Sequence, residues 1–398
     1  MRVLLVHNKY QLAGGEDAVF ENEAALLSDN GHVVDRLVVS NDRIRGVAAS
    51  ALSAIGATYN PAGRRLMAES IAQARPDVVH VHNFFPLLSP AIFDACAAAQ
   101  VPAVWTLHNF RITCANGLLF RDGHPCEQCV GGSAFWGAFH RCYRGSAIGS
   151  ATVAGMIGYH RAAGTWRRKV TRFIALSEFS RDRFVAAGLP PERIVVKPNF
   201  VADPIAAGVR VDDPREGAVY VGRLSVEKGV RSLIEAWRHV EVPLTVIGEG
   251  PEQEALQRIA PANVQFAGWR GRADVTAAMA GAAAVIVPSI WYENCPMTVV
   301  EAMAVGTPVI ASRSGALAEL VIDGTTGSTF DPGDPADIAR VVQRTFADPR
   351  RLRTLGKAAR HRYETSFAPR ANLARLTEVY HAAIADHKQQ AQFLRQRA

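Results

Sequence analysis

Eleven short apolar runs, most of them rich in β-branched residues, recur along the 398 residues with helix-forming stretches between them. Six lie in the first half, at 2–6 (RVLLV), 33–39 (VVDRLVV), 77–81 (DVVHV), 102–107 (PAVWTL), 172–176 (RFIAL) and 193–197 (RIVVK). Five lie in the second, at 218–222 (AVYVG), 243–248 (PLTVIG), 264–268 (VQFAG), 283–288 (AAVIVP) and 308–312 (PVIAS). Alternation of this kind builds βαβ units, whose parallel strands are covered by helices on both faces. The chain is therefore expected to be α/β, with two doubly wound Rossmann-like domains facing across a cleft, and its length suits two cores better than one. The expected boundaries are 1–198 for the first domain, with a Cys-rich insert at about 110–145, and 217–370 for the second. The stretch PNFVADPIAAGVRVDDPRE (198–216) is rich in Pro, Asp and Gly, and 199–216 reads as the linker,. Residues 371–398 read as a helix packing back on the first domain, with a basic tail that frays.

A parallel sheet of this type binds ligands beyond the carboxyl ends of its strands, so site residues belong just after the apolar runs. Residues 288–308, PSIWYENCPMTVVEAMAVGTP, follow one such run and read as loop and helix, with Pro296 in the first helical turn,. The free amides of a helix start, with its dipole, form an anion site, so the backbone of Asn294, Cys295, Pro296 and Met297 suits a diphosphate. Glu293 precedes that cluster and Glu301 follows it, about 7.5 Å along the helix at 1.5 Å per residue. Two carboxylates flanking a phosphate-sized site can accept hydrogen bonds from hydroxyls on either side. Gly222 and Arg223 end the 218–222 run and Lys228 closes its loop, supplying donors for a diphosphate. Gly248, Glu249 and Gly250 follow the next run, Gly14 and Gly15 follow the first strand, and His108 follows PAVWTL. His80 and His82 alternate along one strand and read as core or site lining.

Charge is uneven. The formal net charge is +7, and residues 1–200 alone hold 21 Lys and Arg against 15 Asp and Glu. Residues 128–177 contain no acid, while Arg141, Arg144, Arg161, Arg167, Arg168, Lys169 and Arg172 are basic. With Trp166 and Phe173 beside them, they suit an anionic membrane surface or a phosphorylated acceptor. Nucleic acid is not expected as a partner, since no known module can be read. No run approaches the ~18–20 apolar residues of a spanning helix, and MRVLLVHNKY reads as a strand and not a signal peptide. The expectation is a cytoplasmic chain, peripheral on the inner face of the membrane. Cys114, Cys126, Cys129 and Cys142 have the spacing C-x11-C-x2-C-x12-C, which suits a structural zinc site or a packed cluster of free thiols,. Cys96 and Cys295 stand alone.

GRLSVEKG (222–229), VIGEGPE (246–252), FAGW (266–269), Glu293-x7-Glu301 and PVIAS…ELVIDGTTG together resemble family 4 of the retaining glycosyltransferases, which have the GT-B type fold. VLLVHNKY…GGED and TLHNFR look like that family's acceptor domain, so the resemblance spans nearly the whole chain. It implies a nucleotide-sugar donor and a carbohydrate or polyprenyl-phosphate-linked acceptor. Arg223 and Lys228 would hold the donor diphosphate, Glu301 the ribose, and Glu293 the donor sugar. His108 would lie by the reacting carbon, and Gly14 and Gly15 would contact phosphate and acceptor. No D-x-D triad occurs, so no catalytic metal is expected and Arg, Lys and helix amides carry the electrostatics. A GT-B type nucleotide-sugar epimerase and a non-catalytic nucleotide-sugar-binding module are the competing readings. A dinucleotide oxidoreductase is disfavoured because no G-x-G-x-x-G follows the first strand.

Overall fold

The computed structural model describes residues 1–11, 14–43, 56–211 and 214–397; Asp212 and Asp213 of the expected linker, and Ala398, lie outside them. The chain forms two compact units. One comprises Met1–Leu119, Cys126–Lys197 and Leu373–Ala398, the other Phe120–Pro125 and Pro198–Asn372.

The first unit carries six parallel strands: β1 (Arg2–Lys9), β2 (Val33–Ser40), β3 (Val78–Val81), β4 (Ala103–Thr106), β7 (Arg172–Ala175) and β8 (Ile194–Val196). Their order is β2-β1-β3-β4-β7-β8. Two dipeptides, β5 (Phe120–Arg121) and β6 (His124–Pro125), pair as a small antiparallel hairpin. Helix Gly15–Asp29 follows β1 and buries Phe20, Ala24 and Leu27 against Val3, Leu5 and Val78. The last helix, Pro369–Arg397, adds Leu376, Val379, Tyr380 and Ala383 to the same core. The chain thus closes the first unit with its own carboxyl end.

The second unit orders its strands β11-β10-β9-β12-β13-β14, where β9 is Glu216–Val221, β10 Leu244–Ile247, β11 Val264–Gly268, β12 Ala282–Val287, β13 Val309–Ser312 and β14 Gly327–Phe330. Every residue of β12 is buried, as befits a strand covered on both faces. All eleven apolar runs are strands. The twelfth sheet strand, β14, has the sequence GSTF, which carries too little apolar character to show a period.

The expected linker is not loose chain. Phe200 and Val201 are buried, the Tyr363 hydroxyl donates to the Val201 carbonyl at 3.0 Å, and Arg360 pairs with Asp203 at 2.6 Å. Apart from Phe120–Pro125, which carries β5 and β6, the second unit runs from Pro198 to Asn372, where 217–370 is expected.

Candidate functional site

In the second unit the winding reverses between β9 and β12, which pair in parallel, and an open sheet leaves a crevice at such a point. The loops beyond β9, β10 and β12 are held together there by backbone contact. Gly248 has φ +136°, and a Cβ on it would stand 1.9 Å from the Gly222 carbonyl oxygen. Gly229 has φ +67°, and its Cβ would stand 2.0 Å from the Pro288 oxygen. Only glycine fits either position. The Ile290 amide donates to the Glu227 carbonyl at 3.0 Å, and Thr298 Oγ1 donates to the Val221 carbonyl at 3.4 Å. The start of helix Met297–Ala304 is thereby anchored at the end of β9.

Lys228, Glu293 and Ser289 converge in this frame. Lys228 Nζ donates to Glu293 Oε1 at 2.6 Å, and Ser289 Oγ donates to the same oxygen at 2.7 Å. The ammonium also lies 5.2 Å from the centre of the Trp291 ring. Glu293 is buried while Lys228 keeps 27% of its side chain exposed, so the positive end of the pair is the accessible one. Arg223 is exposed, and its guanidinium makes no hydrogen bond or ion pair among the described residues. Asn294 and Cys295 are buried.

Pro296 is the N-cap, with φ −65° and ψ 115°, one position before the first helical turn in which its sequence context places it. The helix begins at Met297, and no side chain caps its end, which leaves the anion-binding character of the amides intact. Glu301 lies on this helix. Burial raises its pKa, and Arg272 lowers it by less; its carboxylate has no hydrogen bond or ion pair among the described residues. Gly250 lies in the loop beyond β10 beside the exposed Glu249, whose Oε1 accepts a long 3.4 Å bond from the Trp269 amide. Ser289 and Trp291 were not singled out in the sequence, although both stand in the loop directly after a buried strand.

The first unit holds its own polar cluster, where the winding reverses between β1 and β3. Gly14 is the N-cap of helix Gly15–Asp29, and its amide donates to Asp17 Oδ2 at 2.8 Å. Asp17 Oδ1 lies 2.8 Å from His7 Nε2. The Gly14 N–H is thus engaged, and Glu16 and Asp17 put acid at this helix start. His108 Nε2 lies 3.0 Å from His82 Nδ1. His82 Nε2 stands 3.4 Å from Glu23 Oε2, and Lys197 Nζ donates to Glu23 Oε1 at 2.5 Å. Glu23, Lys197, His80 and His82 are all buried. Burial pushes the Glu23 carboxyl up, but Lys197 foremost, then His82 and His80, bring it well below the usual range. Burial holds His82 and His108 below the usual imidazole value, so both are neutral near pH 7. Glu23 and Lys197 lie 174 residues apart, and no local pattern signals their pairing.

Two family models match the chain in succession: Glycosyltransferase Family 4 over residues 14–203 and Glycosyl transferases group 1 over residues 204–362. The chain belongs to glycosyltransferase family 4. It is 34% identical over 190 residues to a glycogen synthase of Mycobacterium tuberculosis, covering 44% of this chain and 45% of the relative. It is 30% identical over 235 residues to the MMP alpha-(1->4)-mannosyltransferase of Mycolicibacterium hassiacum, covering 55% and 56%. The matches thus span about half the length of these curated relatives. Among solved structures, Anabaena HepE in complex with UDP superposes with TM-score 0.64 at 19% identity, covering 100% of both chains. Sucrose-phosphate synthase from Thermosynechococcus elongatus gives TM-score 0.70 at 18% identity, covering 96% of this chain and 99% of that one. The fold of this family 4 member is the GT-B type.

None of the four insert cysteines, Cys114, Cys126, Cys129 and Cys142, is in a disulfide. The Cys129 thiol is pushed up to about 11 by burial, then by the proximity of Cys114, Cys142 and Cys126. Among the described residues, one group of three metal-ligand types brings its atoms within 4.8 Å: Glu23, His80 and His82. It is not built for a metal. The Lys197 ammonium already sits on Glu23, and both His80 nitrogens are engaged, by Tyr380 at 2.8 Å and Thr106 at 2.7 Å.

The basic stretch also differs from its sequence expectation. Trp166 and Phe173 are buried, packed in a ring cluster with Phe93 and Trp105, because both fall on core-facing positions. Within residues 128–177 the exposed aromatic residues are Phe135, Trp136, Phe139 and Tyr159, joined by Ile148, which is 82% exposed. Lys169 pairs with Asp94 and Arg172 with Asp386, leaving Arg141, Arg144, Arg167 and Arg168 exposed.

Glu301 yields a pH prediction. Its pKa is raised in the folded unit, so above the ordinary glutamate range the folded state binds more protons than the unfolded chain. Stability therefore falls as pH rises through that window. Glu301→Gln should stabilise the protein at neutral pH and flatten the slope, measured by urea unfolding between about pH 4.5 and neutrality. A slope identical to the parent's contradicts this.

Proposed function

We propose that this chain transfers a sugar from a nucleotide-sugar donor, UDP- or GDP-linked, to a carbohydrate or polyprenyl-phosphate-linked acceptor. Anomeric configuration is retained, as in the family it belongs to, and the product is a cell-surface polysaccharide or glycolipid. The observation that carries this reading is the arrangement at the β9/β12 reversal. Two cations stand on the loop beyond β9, the exposed Arg223 and Lys228 with its open end, and the helix that starts at Met297 is uncapped. All three favour a diphosphate. Glu301 offers an unpaired, half-buried carboxylate to ribose hydroxyls, and Glu293, held by Lys228 and Ser289, to those of the sugar. The relatives named glycogen synthase and mannosyltransferase, and the HepE structure in complex with UDP, support this reading.

As the nucleotide leaves, negative charge builds on its diphosphate, and preorganised cations and amides stabilise that charge without a divalent ion. Arg223→Ala and Lys228→Ala should each lower kcat by about 10²–10³-fold, equivalent to ~2.7–4 kcal/mol, in an assay pairing a nucleotide-sugar panel with carbohydrate and lipid-linked acceptors. Full activity in both variants sinks the assignment. Product formed without acceptor would favour the epimerase reading, and binding without turnover the non-catalytic module.

The four insert cysteines are proposed to hold a structural zinc ion as thiolates on the strength of their C-x11-C-x2-C-x12-C spacing,; no three of their sulfurs stand within 4.8 Å of one another among the described residues, so the ion would have to draw them together. Metal analysis of the purified protein should give about one zinc per chain, lost with Cys126→Ser/Cys129→Ser. Four titratable thiols and no zinc refute the site.

A peripheral membrane location is proposed from the exposed patch around helix Ala147–Ala162. Ile148 and Tyr159 lie eleven residues apart and so on one stripe of that helix, and the Phe135 ring packs beside Gly158. Apolar rings rimmed by Arg141 and Arg144 suit anionic headgroups. Vesicles containing anionic lipid should retain the protein at low salt, and Phe139→Asp/Ile148→Asp should release it. Equal partition onto neutral vesicles contradicts the electrostatic part.

A further inference from the structure

The parallel strands of the second unit end at the loops that carry Arg223, Lys228 and Glu293, and they begin at the opposite edge of the sheet. At that opposite edge lies a cavity of about 580 Å³, built from residues between Ile205 and Glu364 and so contained in the second unit. Arg215 stands directly before β9, Ala283 is the second residue of β12, and Pro308 stands directly before β13. None of the described residues that line it belongs to the donor-loop cluster.

Two arginines brace its walls. Arg215 donates to the Thr307 hydroxyl at 2.5 Å and to the Val305 carbonyl at 2.7 Å, which fixes the chain before β9 against the end of helix Met297–Ala304. Arg360, on helix Pro349–Ser366, donates to the Ala304 carbonyl and pairs with Asp203 at 2.6 Å, which ties that helix to the stretch carrying Ile205. The cavity is therefore formed before any ligand arrives, as most small-molecule sites are.

Its lining is of two kinds. Val305 and Pro308 are buried, while Ile205 and Val211 keep 38% and 37% of their surface exposed on the same cavity. That is apolar area the chain itself leaves uncovered. Along another side Arg353, Lys357 and His361 recur every four residues of helix Pro349–Ser366, and so stand in a row. All three are exposed, and their side chains make no hydrogen bond or ion pair among the described residues. The Glu364 carboxylate, which also lines the cavity, is taken up by Arg360 at 2.7 Å. The charge left over at the rim is positive.

A ligand that meets both halves has an apolar body and an anionic head. Side chains four apart on a helix stand about 5–6 Å apart at Cβ, so one phosphate monoester spans Arg353 and Lys357, with two oxygens on the guanidinium fork and the third on the ammonium. A carboxylate has no third oxygen to give. We propose that this cavity is a second ligand site, for one molecule of a phosphorylated amphiphile, an apolar chain ending in a phosphate monoester. The chain lies against Val305, Pro308, Ile205 and Val211, and the phosphate at Arg353 and Lys357. No residue assigned to the donor takes part, so the site stands or falls apart from sugar transfer.

The test is isothermal titration calorimetry on the full chain with octyl phosphate kept below its aggregation concentration, beside inorganic phosphate, octanol and UDP. Octyl phosphate should bind at a single site, at least about tenfold more tightly than inorganic phosphate or octanol, since each of those offers only half of the contact. Arg353→Ala/Lys357→Ala should weaken it by about tenfold or more, and Ile205→Asp, which sets a charge on the apolar wall, should weaken it too. These side chains are exposed, so the variants should unfold at the wild-type temperature. Unchanged affinity in the double variant overturns the location, and equal affinity for inorganic phosphate overturns the amphiphile. Displacement of octyl phosphate by UDP places it at the donor loops and overturns the second site. Retention on phosphatidic acid vesicles without binding of the monomer also overturns it, since the cations then meet a membrane surface. Octyl phosphate bound as stated in a chain that transfers no sugar leaves this site standing and removes only the proposed function.

Discussion

A strand covered on both faces has nowhere to put polar chemistry except at its ends, and this constraint organises both units. The six residues of β12 are all buried, so the chain can first place a serine, a tryptophan and a glutamate together only after Val287. β9 likewise reaches Gly222 before Arg223 and Lys228 become admissible. Because parallel strands all end on the same side, these loops must meet, and they meet closely enough that Gly248 and Gly229 tolerate no side chain. The polar loops of the second unit are therefore brought together by the sheet's winding, with each loop braced on the next.

How much of this was legible follows from the same constraint. Apolar β-branched runs of strand length are unambiguous where strands are buried twice over, and all eleven were readable. β14 was not, because GSTF borrows its burial from neighbours and carries no pattern of its own. Arg223, Lys228, Glu293 and Glu301 are candidates because strand ends are where a parallel sheet concentrates function, and Lys228 and Glu293 are in contact. Position within a helix was less legible: Trp166 stands beside three basic residues and reads as interfacial, yet it packs with Phe93 and Trp105 in the core. Sequence proximity to charge says little about which way a side chain turns. The Glu23–Lys197 pair had no local trace, since each residue is ordinary on its own helix face or strand end, and only the fold brings them within reach.

The two units use the same elementary contact, a lysine ammonium on a glutamate carboxylate, under opposite solvent conditions. Lys197 and Glu23 are fully buried, and removing one partner of such a pair leaves a charge uncompensated at a cost of about 3–5 kcal/mol. Lys228 keeps a quarter of its side chain exposed while Glu293 is buried. A closed pair cannot exchange partners without unfolding its surroundings, so it can serve only as a fixed charge. A pair open at its cationic end can accept a second anion while Ser289 continues to hold the carboxylate.

That difference assigns distinct physical roles to the two clusters. The fixed charge at Glu23 stands beside the imidazoles of His80 and His82, which burial holds below their usual pKa. For the proposed diphosphate, the pull of the open pair at Lys228 depends on how little of the ammonium's charge Glu293 has already neutralised. Ser289 matters here more than its small size implies: by donating to the same oxygen as Lys228, it shares the carboxylate's charge. The cation is then less tightly bound to its own partner and freer to face a ligand.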